Sequence, residues 1–190
     1  MKGHPNIIEA FDYYGDTGRV TLPQGASIEP ILERQNCMSL EFCSHGDLIG
    51  LLIEHGSFQD EKLVKHLMLQ ICNGLEAVHT TANYAHLDIK PDNILIGDDY
   101  QLKLTDFGFA EPTSLDVTTA CGTESYCAPE IHEGSKAYNG IQADIFSLGV
   151  VFFIMQFTKP PFNKGSIQDN NYRCFAKNPS VFWRCSPAVR

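Results

Sequence analysis

The chain has 190 residues, of which 43% are hydrophobic and 19% are charged, as is typical of one globular domain with a sizeable core. Its formal net charge of −9 argues against a nucleic-acid-binding surface, because such a surface requires a basic stripe. The seven cysteines include no CxxC pair, and this usage is typical of reduced thiols in a cytoplasmic protein.

No segment of the sequence predicts association with a membrane. The N-terminus lacks the basic-then-apolar pattern of a targeting signal. The longest apolar stretch, residues 148–157, is interrupted by Gln156 and is far shorter than the roughly 20 residues that span a bilayer. We therefore expect this stretch to form a buried helix.

The first part of the chain predicts two strands. Residues 11–14 form a short aromatic strand candidate, and apolar and polar side chains alternate over residues 38–42 with the period of a half-buried strand. The connection between them, residues 15–37, is rich in Gly, Pro and Glu and is longer than a hairpin loop, so we expect an exposed, mobile excursion. We expect this excursion to have no function of its own, and a partner-binding site on it is the alternative.

Helices are predicted to dominate after residue 46. A short helix opens at Gly46-Asp47, and a long helix is expected from about residue 60 to residue 80, with Asp60 as its N-cap. Apolar residues in the long helix recur at i, i+4, i+7, i+11 and i+14, so one face should pack inward.

The second half is predicted to begin with two short strands, residues 93–96 and 102–105, joined by a turn. A loop at residues 106–130 follows. We then expect a buried helix at residues 144–157 and a loose tail.

Two neighbouring loops carry the residue types that phosphoryl transfer needs. The string His86-Leu87-Asp88-Ile89-Lys90-Pro91-Asp92-Asn93 precedes Asp106-Phe107-Gly108. Together they supply a carboxylate, an ammonium, an amide and a second carboxylate. In phosphoryl transfer one acid orients the attacking hydroxyl, a cation steadies the γ-phosphate, and an amide and an acid hold Mg²⁺.

Three further motifs follow in order, namely Cys121-Gly122-Thr123, Ala128-Pro129-Glu130 and Asp144-Ile145-Phe146-Ser147-Leu148-Gly149. With the two loops, they resemble the eukaryotic protein kinase family, from about His4 to about Trp183. In detail the motifs look most like the calcium/calmodulin-dependent and AMP-activated branch. The resemblance implies an α+β fold, with a small-lobe remnant and hinge at residues 1–43 and a mostly helical large lobe at residues 44–190.

The resemblance implies catalytic roles for four residues. Asp88 matches the base that orients the substrate hydroxyl, and Lys90 matches the lysine that contacts the γ-phosphate in serine/threonine-directed kinases. Asn93 and Asp106 match the Mg²⁺ ligands, whose hard oxygens suit that ion. ATP, Mg²⁺ and a serine or threonine of a protein substrate are therefore implied.

The resemblance also places the nucleotide. Glu41 and Cys43 lie in the hinge that reads adenine through backbone groups, and Leu40 lies at the gatekeeper position. Leu95 resembles the floor of the adenine pocket, although a plain core leucine is equally consistent with the sequence. Asp47 either reaches the ribose hydroxyls or caps the helix that it begins.

Other residues are expected to support the site. Thr123 should lie near Asp88 and Lys90, and Asp144 resembles the buried acid that holds the backbone of the catalytic loop. His86 and Phe107 should pack against each other. The remaining histidines are scattered singly and are expected to be surface or hydrogen-bonded residues rather than ligands: His4, His45, His55, His66, His79 and His132.

Leu87 is the main departure from the family pattern. The family usually has an arginine there, which pairs with a phosphorylated residue of the activation segment, and leucine cannot make that pair. We therefore predict that phosphorylation of Thr118 or Thr119 is not needed to order the segment through this route.

Several parts of the family pattern are not found. These are the glycine-rich loop, the strand lysine, the helix glutamate and the arginine partner of Glu130, and Gly15-Asp16-Thr17-Gly18 predicts only a turn. We therefore expect a kinase domain that is incomplete at both ends. A pseudokinase acting as a scaffold and a chain that does not fold alone stay open as alternatives to a working enzyme, as does a regulatory protein partner.

Overall fold

A computed structural model describes residues 3–14, 37–134 and 136–185. Within these residues helices predominate after residue 46, and the strands form three separate antiparallel pairs, which confirms the expected α+β class. The strands are β1 (Ala10–Tyr14), β2 (Cys37–Leu40), β3 (Tyr84–Ala85), β4 (Ile94–Ile96), β5 (Leu102–Leu104) and β6 (Glu111–Pro112). The helices are α1 (Leu48–His55), α2 (Glu61–Ala77), α3 (Pro129–His132), α4 (Gly140–Phe157), α5 (Asn170–Lys177) and α6 (Pro179–Cys185).

Strands β1 and β2 pair with each other, with an irregular register between Ala10 and Asp12. The predicted alternation in β2 is present, but its apolar side faces solvent, since Met38 and Leu40 are 59% and 42% exposed. No third strand among the described residues joins this sheet. The predicted excursion at residues 15–37 lies, apart from Cys37, outside the described residues.

Helix α2 confirms the predicted long helix. The Asp60 carboxylate accepts hydrogen bonds from the backbone N–H groups of Lys62 (2.8 Å) and Leu63 (3.4 Å), which satisfies donors that a helix N-terminus leaves without partners. The expected apolar face is largely buried, and a five-residue π turn, Val78–Ala82, continues the helix toward the loop at residues 86–93. The buried apolar residues on this face are Val64, Leu67, Ile71, Leu75 and Val78.

Helix α4 starts at Gly140, four residues before its predicted start, because the Asn139 side chain accepts a hydrogen bond from Gln142 N (3.1 Å). The helix has 18 residues and is long and apolar enough to cross a membrane by length and composition alone. However, 56% of it is buried inside the protein, and Asp144 lies fully buried within it. It packs as a core helix, as predicted.

The prediction of a loose tail is wrong up to Cys185. Helix α5 is capped by the Asp169 carboxylate, and Phe182 of α6 is 1% exposed. The Phe182 ring lies 5.4 Å from that of Phe175 and 6.1 Å from that of Phe153 in α4. Burial of one such ring contributes about 1.5–3 kcal/mol, so packing against α4 stabilises both terminal helices.

The main core lies between α2, α4 and the β4–β5 hairpin. The N-terminal turn joins it, because Ile8 N donates to Leu104 O (2.9 Å) and Leu104 N donates to Asn6 O (3.0 Å). Gly74 permits this close approach, since a Cβ there would lie only 2.5 Å from Asn6 O. The core therefore fixes the loops that precede β4 and follow β5.

Candidate active site

The loop at residues 86–93 is fixed to the core by one buried carboxylate. Asp144 of α4 accepts hydrogen bonds from His86 N through Oδ2 and from Leu87 N through Oδ1, both at 2.7 Å. The predicted role of Asp144 in holding the backbone of this loop is confirmed.

His79 belongs to this anchor: it is a hydrogen-bonded histidine, as expected, but its sequence position predicted no anchoring role. Its Nε2 donates to Asp144 Oδ2 at 2.8 Å, and its side chain is buried. The sequence carried a signal for this position, because His79 follows the buried Leu75 by four residues and therefore continues the inward face of the helix.

Asp88 lies buried at the centre of the loop. Its Oδ1 accepts hydrogen bonds from the backbone N (2.9 Å) and the hydroxyl (2.8 Å) of Thr123. Its Oδ2 accepts from Lys90 Nζ (2.7 Å) and Asn93 Nδ2 (3.0 Å). The carboxylate thus joins the loop to the segment that carries Thr123.

These contacts control the protonation of Asp88. Burial raises the pKa of Asp88, but hydrogen bonds from Lys90, Thr123 and Asn93, with the positive charge of Lys90, oppose it and hold the pKa below its ordinary value. Asp88 is therefore an ionised hydrogen-bond acceptor at physiological pH.

Lys90 and Asp88 hold the same hydroxyl group. Lys90 Nζ donates to Thr123 Oγ1 at 2.9 Å, while that hydroxyl donates to Asp88 Oδ1. A hydroxyl oxygen thus lies between an anionic acceptor and a cation, and the prediction that Thr123 lies near both residues is confirmed.

Asn93 and Asp106 are brought together by the β4–β5 pairing. Thr105 N donates to Asn93 O at 3.0 Å, so the residue before Asp106 lies beside Asn93. The side-chain Nδ2 of Asn93 donates two hydrogen bonds to Asp88, one to its backbone oxygen (2.9 Å) and one to its Oδ2 (3.0 Å). These two bonds do not involve the amide oxygen of Asn93. Asp106 is exposed and has a left-handed backbone with φ of 58°.

This donor set fits a hard divalent cation. One amide oxygen and one exposed carboxylate lie on adjacent backbone segments, and Mg²⁺ is commonly held by one or two protein oxygens completed by phosphate and water. Among the described residues no three His, Cys, Asp or Glu side chains converge as an all-protein metal site. The roles of Asn93 and Asp106 as metal ligands stay predictions.

His86 and Phe107 pack together, as predicted, with ring centroids 4.7 Å apart. His86 Nε2 also donates to Thr105 O at 2.9 Å, which ties the loop to the strand that leads to Asp106. Burial lowers the pKa of His86, so its ring is neutral at physiological pH and serves as a structural link.

Leu87 is buried with a left-handed backbone, φ 66°, in a second apolar cluster. This cluster, the activation-segment cluster, consists of Ala85, Leu87, Val117, Ala128, Tyr138 and Ala143. Gly122 lies directly against this cluster, since an added Cβ would lie 2.5 Å from Leu87 O. Its φ of 90° also favours glycine at this position.

Tyr138 fastens the segment that precedes Thr123. Val117 and Tyr138 exchange backbone hydrogen bonds of 2.9 and 3.0 Å, and the Tyr138 hydroxyl donates to Thr119 O at 2.9 Å. The segment is therefore held by apolar packing and backbone hydrogen bonds at the place where Leu87 replaces a charged residue.

The residues expected to contact a nucleotide lie at the end of β2, in the segment that follows it and in β4. Asp47 caps α1 by accepting from Gly50 N at 2.8 Å, which confirms the capping alternative, and it forms a β-bridge with Leu95. Leu95 is half-buried. At Cys43, burial raises the pKa of the thiol above its ordinary value. The roles of Leu40, Glu41, Cys43 and Leu95 in nucleotide binding stay predictions.

Comparison with known proteins gives a consistent result. The family "Protein kinase domain" matches residues 1–186. Maternal embryonic leucine zipper kinase of Danio rerio is 38% identical over 130 residues, covering 66% of this chain and 19% of that protein. Aurora kinase of Saccharomyces cerevisiae is 34% identical over 175 residues, covering 91% and 42%.

A third relative, serine/threonine-protein kinase ATG1b of Arabidopsis thaliana, is 36% identical over 169 residues, covering 86% of this chain and 21% of that protein. The three identities are similar, so they do not separate the branches of the family. The chain spans less than half the length of each of these relatives.

Proposed function

The chain belongs to the protein kinase family, and we propose that it transfers the γ-phosphate of ATP to a serine or threonine hydroxyl of a protein substrate. The observation that carries the proposal is the position of Thr123 Oγ1, which lies 2.8 Å from Asp88 Oδ1 and 2.9 Å from Lys90 Nζ. A substrate hydroxyl at that position would have an acceptor for its proton and a cation for the phosphate.

The reaction follows from these roles. The substrate oxygen bonds to the γ-phosphorus, the bond from that phosphorus to the bridging oxygen of ADP breaks, and the hydroxyl proton passes to Asp88. Because the pKa of Asp88 is low, we expect the proton to move as the new phosphorus–oxygen bond forms rather than before it. Lys90 balances negative charge on the transferred group.

Asn93 and Asp106 would hold Mg²⁺, which supplies charge neutralisation to the phosphates when it is bound. Asn93 is held by its two amide hydrogen bonds to Asp88, so the ligand and the acceptor are kept at one fixed spacing. Glu41 and Cys43 would receive the adenine ring through backbone groups, with Leu40 and Leu95 beside it.

Lys90 also favours serine and threonine over tyrosine as the acceptor, since a lysine at this position is the pattern of serine/threonine-directed kinases. The similar ATG1b protein is named as a serine/threonine-protein kinase, in agreement with this preference. No contact in the described residues favours the pseudokinase alternative, because Asp88, Lys90 and Asn93 form one connected network.

The test is Asp88→Asn in the full chain, with transfer of γ-phosphate from ATP measured on a serine-containing peptide. Loss of the ionised acceptor should lower kcat by about 10²- to 10⁴-fold, which is the usual contribution of a positioned acid or base. Asp99→Asn is the matched control, since Asp99 lies on the exposed turn between β4 and β5. Equal rates for wild type and Asp88→Asn would overturn the proposal.

A further inference from the structure

An ion pair lies behind the segment expected to receive adenine. Lys103 Nζ lies 3.0 Å from Glu41 Oε1, with side-chain exposures of 11% for Lys103 and 26% for Glu41. The lysine stem is packed, because a Cβ added to Gly97 would lie 3.0 Å from Lys103 Cε. Burial of a charge is unfavourable unless it is paired, so Glu41 is needed by Lys103.

Glu41 is fixed on its other side as well. Its Oε2 accepts from Glu9 N at 3.2 Å, and its own N donates to Glu9 O at 2.8 Å. One residue thus joins the chain before β1 to the Lys103 side chain on β5, and the backbone of residue 41 has little freedom.

The segment that follows, residues 41–47, is here called the connector. It is tied to the turn after β4, because Asp98 Oδ1 accepts from Ser44 Oγ (2.6 Å) and Ser44 N (3.3 Å). Close by, the rings of His45 and Tyr100 stack with centroids 4.4 Å apart.

Two backbone contacts complete the attachment of the connector. Ile96 N donates to Gly46 O at 2.9 Å, and Asp47 forms a β-bridge with Leu95. The Ser44 and His45 contacts are exposed and therefore individually weak, whereas the Glu41–Lys103 pair is largely removed from water. The ion pair is thus less exposed to water than the Ser44 and His45 contacts that also link the connector to the hairpin.

Lys103 of β5 lies three residues before Asp106, which follows the end of that strand. Its pairing partner is Leu95, and Thr105 N donates to Asn93 O two residues further along. The ion pair therefore connects the proposed adenine site, at the connector, to the strand that leads to the proposed metal ligand.

We propose that the Glu41–Lys103 ion pair is a positioning device for nucleotide binding, which holds the connector backbone in register with β5, the strand that leads to Asp106. Neither side chain touches the nucleotide in this account, and both act through the backbone of the connector. The inference rests on the proposed kinase function, because it concerns the same nucleotide site.

The experiment measures the affinity of the full chain for Mg·ADP by calorimetry, together with KM for ATP and kcat. In Lys103→Met and Glu41→Gln we expect Kd and KM to rise about fivefold or more, as for coupled sites, with kcat changed less than about twofold. Lys103→Arg keeps the charge and should restore most of the affinity. Glu41→Gln leaves a buried lysine without its charged partner. If the Glu41→Gln variant does not fold, the Lys103→Met variant alone decides the test.

Two comparisons separate positioning from simple stabilisation. The double variant Glu41→Gln/Lys103→Met should bind no more weakly than the worse single variant, because the two residues act as one pair. Lys65→Met removes an exposed ion pair of α2 and should leave Kd unchanged.

The outcomes distinguish the two proposals. If wild type binds Mg·ADP and transfers phosphate while the variants lose only thermal stability at unchanged Kd, the positioning role is wrong and the kinase function stands. If the wild-type chain binds no nucleotide, both are wrong.

Discussion

Asp88 receives hydrogen bonds on both carboxylate oxygens, from a lysine, an amide and a threonine. A buried carboxylate with this many donors is held in its ionised form. Its chemistry and its contribution to stability therefore have the same origin, and the stability can be measured without substrate.

The pH dependence of stability tests the state of Asp88. Because its folded pKa lies below the unfolded value of about 3.9, the unfolded chain takes up the proton first as the pH falls. Ionised Asp88 thus stabilises the fold above that pH, and this contribution is lost as the pH falls through the folded pKa.

We expect Asp88→Asn to lower the free energy of unfolding by about 1.5–3 kcal/mol at pH 7, the usual effect of hydrogen bonds to a charged group. The difference from wild type should stay constant down to about pH 5 and shrink below about pH 4. Denaturant titrations of both proteins across this range measure it. A difference that grows toward acid pH would contradict the account.

Single residues were predictable where a motif or a period defined them. Thr123 and Asp144 lie where the sequence predicted, because each belongs to a motif that resembles one of the family. The anchoring role of His79 was missed, because its partner is 65 residues away and only the tertiary fold brings them together. The Glu41–Lys103 pair was missed for the same reason, as it joins separate elements.

The activation segment shows how an element can be ordered without charge pairing. Leu87 packs in the activation-segment cluster, and Tyr138 holds the backbone at Val117 and Thr119. None of these contacts needs a phosphate. Thr118 and Thr119 are exposed, and Thr119 contributes its backbone oxygen to these contacts.

Removal of both hydroxyls tests this order. We expect the double variant Thr118→Ala/Thr119→Ala to keep kcat within about twofold, since surface changes outside key contacts have small effects.

Leu87→Ala should instead lower the free energy of unfolding by about 2–5 kcal/mol, because it opens a cavity in the activation-segment cluster. Peptide phosphorylation and denaturant titration measure these effects, and a phosphate on either threonine bound by a cation near residue 87 would contradict the prediction.

Elements were predictable from periodicity and capping, but not where tertiary packing decides. Helix α2 has both an apolar face and a capping aspartate, so its start was placed within one residue. Helices α5 and α6 were missed because their stability depends on aromatic contacts with α4, such as that of Phe182. The outward orientation of the apolar side of β2 depends on neighbouring elements, which local sequence does not specify.

At the scale of the whole molecule, two loops and one connector meet around the β4–β5 hairpin. The core fixes the hairpin, the hairpin brings Asn93 and Asp106 together, and Asp144 fixes the loop that carries Asp88. The described residues thus form one continuous support for the four predicted catalytic side chains. The central claim is that this arrangement performs phosphoryl transfer.

The most direct test is transfer of radiolabelled γ-phosphate from ATP by the purified chain to a peptide mixture containing serine, threonine and tyrosine, followed by identification of the labelled amino acids. We predict label on serine and threonine, with Mg²⁺ required. Absence of label under conditions in which the chain binds Mg·ATP, or label on tyrosine alone, would contradict the account.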